Sequence, residues 1–123
     1  MVSTNESKFS EQVFDKTKAI ENLGGDMDLL KEIIEIFLDD FPNQMKQIRE
    51  GILAGDAEAV EHAAHSLKGS VANFAAKRAY DAAYRLEVLG RDGNLGEANE
   101  ALGDLEKEIE GLKDGLDAAV EGA

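Results

Sequence analysis

Cysteine and tryptophan are absent from this 123-residue chain, proline occurs once, and aromatic side chains make up only 6% of it. Without cysteine there is no disulfide and no thiolate metal site. No uninterrupted apolar run comes near the ~20 residues that a bilayer-spanning helix needs. The first ten residues, Met1 to Ser10, are polar and lack the apolar stretch of a secretory leader, so a soluble, cytoplasmic protein with no membrane contact is expected. Basic residues are scarce. The 13 Lys and Arg stand against 26 Asp and Glu, a net charge of −13 that argues against nucleic acid as a partner. Walker-type glycine loops, magnesium-binding aspartate clusters and kinase motifs are also missing, as are repeats, low-complexity tracts and long linkers.

Period-two alternation is never sustained, whereas apolar residues recur at helical spacing almost throughout. The length fits one domain with a real core. Residues 13–22 predict a short first helix, stopped by Gly24 in the left-handed conformation. Asp26 is placed to cap a second helix carrying Leu29, Leu30, Ile33, Ile34, Phe37, Leu38 and Phe41. Pro42 is expected to kink or restart it. The spacing resumes at Met45, Ile48 and Ile52 and stops at Gly55. Asp56 is placed to cap a third helix running to about Phe74. Residues 76–90 predict a fourth, with Ala79, Ala82, Ala83, Leu86 and Leu89 inward. After a turn at Arg91 to Asn94, Asn94 and Glu97 have capping-box spacing.

The last helix repeats Leu95, Ala98, Leu102, Leu105, Ile109, Leu112, Leu116 and Ala119 at steps of three and four. That seam suits a dimeric coiled coil or a bundle core. Gly103, Gly111 and Gly115 each cost about 1 kcal/mol in a helix interior, which favours packing within a bundle and a monomer. The expected fold is all-α, an antiparallel up-down four-helix bundle with a short additional N-terminal helix. It occupies residues 13–116, between a flexible tail at 1–12 and a fraying tail at 117–123.

The most informative segment is Glu61-His62-Ala63-Ala64-His65-Ser66-Leu67-Lys68-Gly69-Ser70. At ~100° per residue, Val60, Ala64, Leu67, Val71 and Phe74 form one apolar stripe, and His65 projects nearly opposite it, toward solvent. Lys68 and Gly69 follow at i+3 and i+4. The cation can hold an anion attached to the ring, and the missing side chain of Gly69 leaves space for another molecule to approach. Ala72 and Ala76 are small as well. An exposed imidazole with these neighbours suggests a histidine that carries phosphate. His62 has neither lysine nor glycine one turn on. Charge is uneven too: residues 68–91 hold five basic against two acidic side chains, a net +3 between flanks of −8 each. Such an island attracts an acidic partner or a phosphate.

His65-Ser66-Leu67-Lys68-Gly69-Ser70 resembles the signature of the histidine phosphotransfer (HPt) domain family. So do Asn22-Leu23-Gly24-Gly25-Asp26 with Leu29-Leu30-Lys31-Glu32, the stretch Ile36 to Pro42, and the stretch Leu53 to Val60. The resemblance implies a phosphorelay intermediate that accepts a phosphoryl group on His65 from a receiver-domain aspartate and passes it on. The implied partners are receiver domains of response regulators or hybrid sensor kinases. No cofactor is implied on this chain, because magnesium and leaving-group chemistry come from the receiver. In several family members an acceptor 22 residues after the histidine orients the ring, and that position here is Glu87. Where the family commonly has glycine, ten residues after the histidine, this chain has Ala75. An alanine resists a positive φ by roughly 1–2 kcal/mol, so the junction is expected to shift, with Asn73 the tolerant position.

Two other readings compete. A degenerate HPt-like bundle would serve only for interaction. A metal-binding bundle would use His62 and His65 with Glu58 and Glu61, although such sites usually draw ligands from more than one helix.

Overall fold

The computed structural model describes residues 14–121. Five helices account for nearly all of it: α1 (Lys16–Asn22), α2 (Met27–Ala54), α3 (Ala57–Ala72), α4 (Lys77–Arg91) and α5 (Ala98–Glu121), with a 3₁₀ turn at Leu95–Glu97 before the last. The polar stretch at 1–12 and Val13 lie outside the described residues. Asp26 and Asp56 start helices as their spacing predicts, and Asp15, inside the first helix by its spacing, is instead the residue that caps it. Asp15, Asp26 and Asp56 accept hydrogen bonds from the backbone N–H groups of Lys18, Leu29 and Ala59 at 3.0, 3.0 and 3.1 Å. Gly24 and Gly55 stop α1 and α2 at φ +70° and +68°.

Short links between α2, α3, α4 and α5 make sequence neighbours antiparallel neighbours. The core is a column of fully buried side chains, among them Leu30, Ile34, Ile48, Leu67, Phe74, Leu86, Leu105, Leu112 and Leu116. The α5 seam is part of it, since Ala98, Leu102, Leu105, Ile109, Leu112, Leu116 and Ala119 are all buried within the one chain. At one end Phe37 packs edge-on against Phe74 with ring centroids 5.4 Å apart, and Phe14 meets Phe74 at 6.3 Å.

Several boundaries differ from those the spacing predicts. α2 passes through Pro42 as one 28-residue helix with no restart. Pro42 lies on an exposed face, where the backbone carbonyl that loses its partner can turn to solvent. α5 begins after the 3₁₀ turn and continues to Glu121, past residue 116, with Ala119 still buried. The Asn94 side chain accepts from Gly96 N–H at 3.3 Å, and Glu97 turns to Arg85, so no capping box forms. On α4 the buried positions are Ala79, Ala83, Leu86, Glu87 and Gly90, whereas Ala82 and Leu89 are half-buried.

The junction between α3 and α4 corrects a further expectation. Ala75 itself takes the left-handed conformation, φ +52°, while Asn73 stays helical at φ −61°. The neighbours explain this. Phe74 is fully buried and Ala76 nearly so. Burying a phenylalanine contributes about 1.5–3 kcal/mol, enough to outweigh the ~1–2 kcal/mol strain of a left-handed alanine.

Candidate functional site

α3 and α4 cross closely because one of them carries glycine at the contact. A Cβ added to Gly90 would lie 2.6 Å from the Glu61 backbone nitrogen and 2.7 Å from the Ala57 carbonyl oxygen. No side chain fits there. One turn back along α4, at i−3, Glu87 is carried in against α3.

Glu87 is the one charged residue that is buried among the described residues, at 4% exposure. Burying a lone carboxylate is costly, and three groups offset the cost. Lys68 Nζ lies 2.8 Å from Oε1, Arg91 Nη2 lies 2.8 Å from Oε2, and His65 Nδ1 lies 3.1 Å from the same oxygen. Burial pushes the Glu87 carboxyl up, but its contacts with Lys68 and His65 outweigh that, leaving it below the usual carboxylate value and ionised. A carboxylate is only an acceptor, so Nδ1 carries the proton and donates it. That fixes the tautomer and leaves the lone pair on Nε2, across a ring whose side chain is 66% exposed.

The structure therefore brings His65, Lys68 and Glu87 into one cluster, and it puts Gly69 and Ala72 on the exposed surface of the same helix. Space around Gly69 is open: an added Cβ meets nothing within 4 Å. One expectation changes, and the setting of Lys68 becomes specific. Ala76 is buried and does not border an approach to the ring. Lys68 does not stand free in solvent. Its side chain is 16% exposed, paired with Glu87 and lying against the rings of Tyr84 and Tyr80. The contact with Glu87 is the main cause that holds its ammonium above the usual lysine value.

The basic island is also quieter than its count of charges implies. Lys77 pairs with Asp81, Arg78 with Glu108, Arg85 with Asp104 and Glu97, and Lys68 and Arg91 with Glu87. All five cations are matched locally, so the field that reaches a partner is weaker than +3.

Sequence reasoning overlooked Arg91, Tyr80, Tyr84 and Gly90. Their spacing held the signal, because residues 80, 84, 87 and 91 follow steps of three and four along one face of α4. His62, exposed on α3, borders a shallow groove with Gln47, Glu50 and Asp56. No group of three or more His, Asp or Glu side chains is arranged to hold a metal ion among the described residues.

The family model for the Hpt domain matches residues 32–115, and the chain belongs to that family, whose members carry phosphoryl groups in phosphorelays. The fold is similar to that of histidine-containing phosphotransfer protein B (HptB) from Pseudomonas aeruginosa PAO1, with a TM-score of 0.82 and 23% identity over 89% of this chain and 96% of that one. It is equally similar to the HPT domain of an Hpt sensor hybrid histidine kinase from Shewanella, with a TM-score of 0.82 and 11% identity over 92% and 97% of the two chains. Among curated proteins none matches the sequence. No described helix is long and apolar enough to cross a membrane.

Proposed function

We propose that His65 is the phosphoryl-accepting residue and that this domain works as a carrier with no catalytic activity of its own. Nε2 of the neutral ring attacks the phosphorus of an aspartyl phosphate on a receiver domain. The N–P bond forms as the P–O bond to the aspartate breaks, and the aspartate leaves as a carboxylate. The Nδ1 proton stays in place, and Glu87 stabilises the positive charge that the ring gains. Onward transfer reverses these steps with a second receiver. Magnesium and the leaving-group chemistry belong to the receiver, and no metal or cofactor is assigned to this chain.

One observation carries the reading: a buried carboxylate holds Nδ1 of an exposed histidine and leaves Nε2 as the available nucleophile. Lys68 lies next to that ring as the cation for the arriving phosphoryl group, which carries about −1.5 to −2 charge by analogy with other phosphates. Gly69 and Ala72 supply the low surface over which the receiver docks. The burial of the α5 seam inside one chain supports a monomer, and a receiver partner supports a cytoplasmic location.

The test is transfer from a phosphorylated cognate receiver. Wild type and His62→Gln are expected to become labelled equally and His65→Gln not at all, with a bond that is acid-labile and base-stable. Label surviving in His65→Gln would sink the assignment.

A further inference from the structure

We propose that Tyr84, with Tyr80 beside it, is a positioning residue for phosphoryl transfer, its ring holding the Lys68 ammonium next to His65. The proposal rests on the reading of His65 as the phosphoryl acceptor. A lysine on a helix surface normally keeps its ammonium in water and samples many rotamers. Lys68 does neither. Its Nζ has a carboxylate oxygen at 2.8 Å and two aromatic faces, with the Tyr84 centroid at 5.0 Å and the Tyr80 centroid at 5.7 Å. Both distances lie within the ~6 Å over which a ring face attracts a cation.

The tyrosines stand one turn apart on α4 and are themselves exposed, Tyr80 at 37% and Tyr84 at 45%. Neither is a core residue. Tyr84 also meets Arg91 through its side chain, and both rings turn a face to the Lys68 ammonium.

The two kinds of wall act differently on the ammonium. Glu87 draws it inward, away from a phosphoryl group on Nε2, and the same carboxylate also serves His65 and Arg91. An aromatic face attracts a cation without fixing the direction of its N–H bonds. Between the rings, the ammonium can tilt from carboxylate to phosphoryl oxygen without returning to water. The cost of ordering a flexible side chain is met before the reaction begins.

A double-mutant cycle read in single-turnover transfer from a phosphorylated receiver tests this. Tyr84→Leu is expected to lower the rate constant at saturating receiver by roughly two- to five-fold, the range that an exposed cation–π contact commands, with little change in receiver affinity. Tyr84→Phe keeps the ring face and is expected to transfer like wild type. In a Lys68→Met background, Tyr84→Leu is expected to have no further effect. A loss that persists in that background, or one confined to affinity, overturns the proposal and makes Tyr84 a docking residue.

A second measurement needs no receiver. In NMR spectra of the unphosphorylated protein, the ε-methylene protons of Lys68 are expected upfield from the ring current in wild type and Tyr84→Phe, and at ordinary positions in Tyr84→Leu. Ordinary positions in wild type overturn the proposal. Failure of the underlying reading is separate and shows as label on His65→Gln, whatever the tyrosines do.

Discussion

His65 and Glu87 are 22 residues apart and meet across the α3–α4 crossing, Nδ1 to Oε2 at 3.1 Å, joining a side chain 66% exposed to one 6% exposed. The pair divides the labour of the site between surface and interior. The ring meets the partner, while the acid sits where water cannot compete for it. Contacts with Lys68 and His65 hold that acid below its usual value, and Arg91 pairs with it as well, so one buried carboxylate holds three side chains in register.

Removing the carboxylate is expected to act on transfer through the ring. Glu87→Ala leaves Nδ1 without an acceptor and is expected to slow transfer roughly ten-fold or more. Glu87→Gln keeps an oxygen for Nδ1 and is expected to lose less. Single-turnover rates compare the two, and a Glu87→Ala protein as fast as wild type would refute the orienting role.

Gly69 is expected to separate stability from function. A Cβ there meets open space, and a glycine inside a helix costs roughly 0.5–1 kcal/mol relative to alanine. Gly69→Gln should therefore melt at the wild-type temperature or above. Its transfer from a receiver should nevertheless fall sharply, mainly through weaker binding, because the longer side chain fills the approach. Thermal melting and a binding titration read the two effects. Normal binding would remove the gap from the interface.

Ala75 offers a stabilising change away from the ring. Glycine relieves the left-handed strain at φ +52°, about 1–2 kcal/mol, against an unfolded-state cost of about 0.4–1 kcal/mol. Ala75→Gly is expected to raise the melting temperature by a few degrees with transfer unchanged. A β-branched residue, as in Ala75→Val, is expected to lower it. A lower melting temperature for Ala75→Gly would mean that the turn relaxes in solution.

The pH dependence follows from the two coupled charges. Glu87 sits below its usual 4.5, so its contribution is full above that pH and is lost as pH falls through the depressed folded value. Lys68 sits above its usual 10.5, so its contribution is full below that pH and is lost as pH rises through the raised folded value. In urea unfolding, the stability gap between wild type and Glu87→Gln is expected to shrink as pH falls through the depressed Glu87 value. A gap that stays constant into strong acid would show that the cluster does not form in solution.

Much of the fold was legible because caps and periodicity are local. Asp26, Asp56 and Gly55 mark helix ends by chemistry that needs no tertiary context. His65 was legible for a related reason, since helical geometry alone turns it away from the stripe of Leu67 and Val71. What stayed hidden depends on neighbouring helices. Ala82 and Leu89, read as inward, do pack against the core while staying half-buried, but nothing in the spacing showed that Gly90, close against α3, carries the charged Glu87 into the interior as well. Ala75 misled because local preference was outweighed by the burial of the residues on either side of it. The cage around Lys68 was half legible: the spacing sets Tyr80, Tyr84, Glu87 and Arg91 on one face of α4, but only the packing of that helix on α3 turns the face toward Lys68.

Gly90 also acts as a gauge for the distance between two helix axes. Its contact with Glu61 lies one helical turn from the contact between Glu87 and His65, on the same pair of helices. A methyl group there would spread the helices by a fraction of an ångström or more, enough to lengthen a 3.1 Å contact beyond the reach of a hydrogen bond. The aim of the imidazole is thus set in part by a residue that never touches it. A variant with every side chain of the site intact can still be silent if the spacing between its helices has changed.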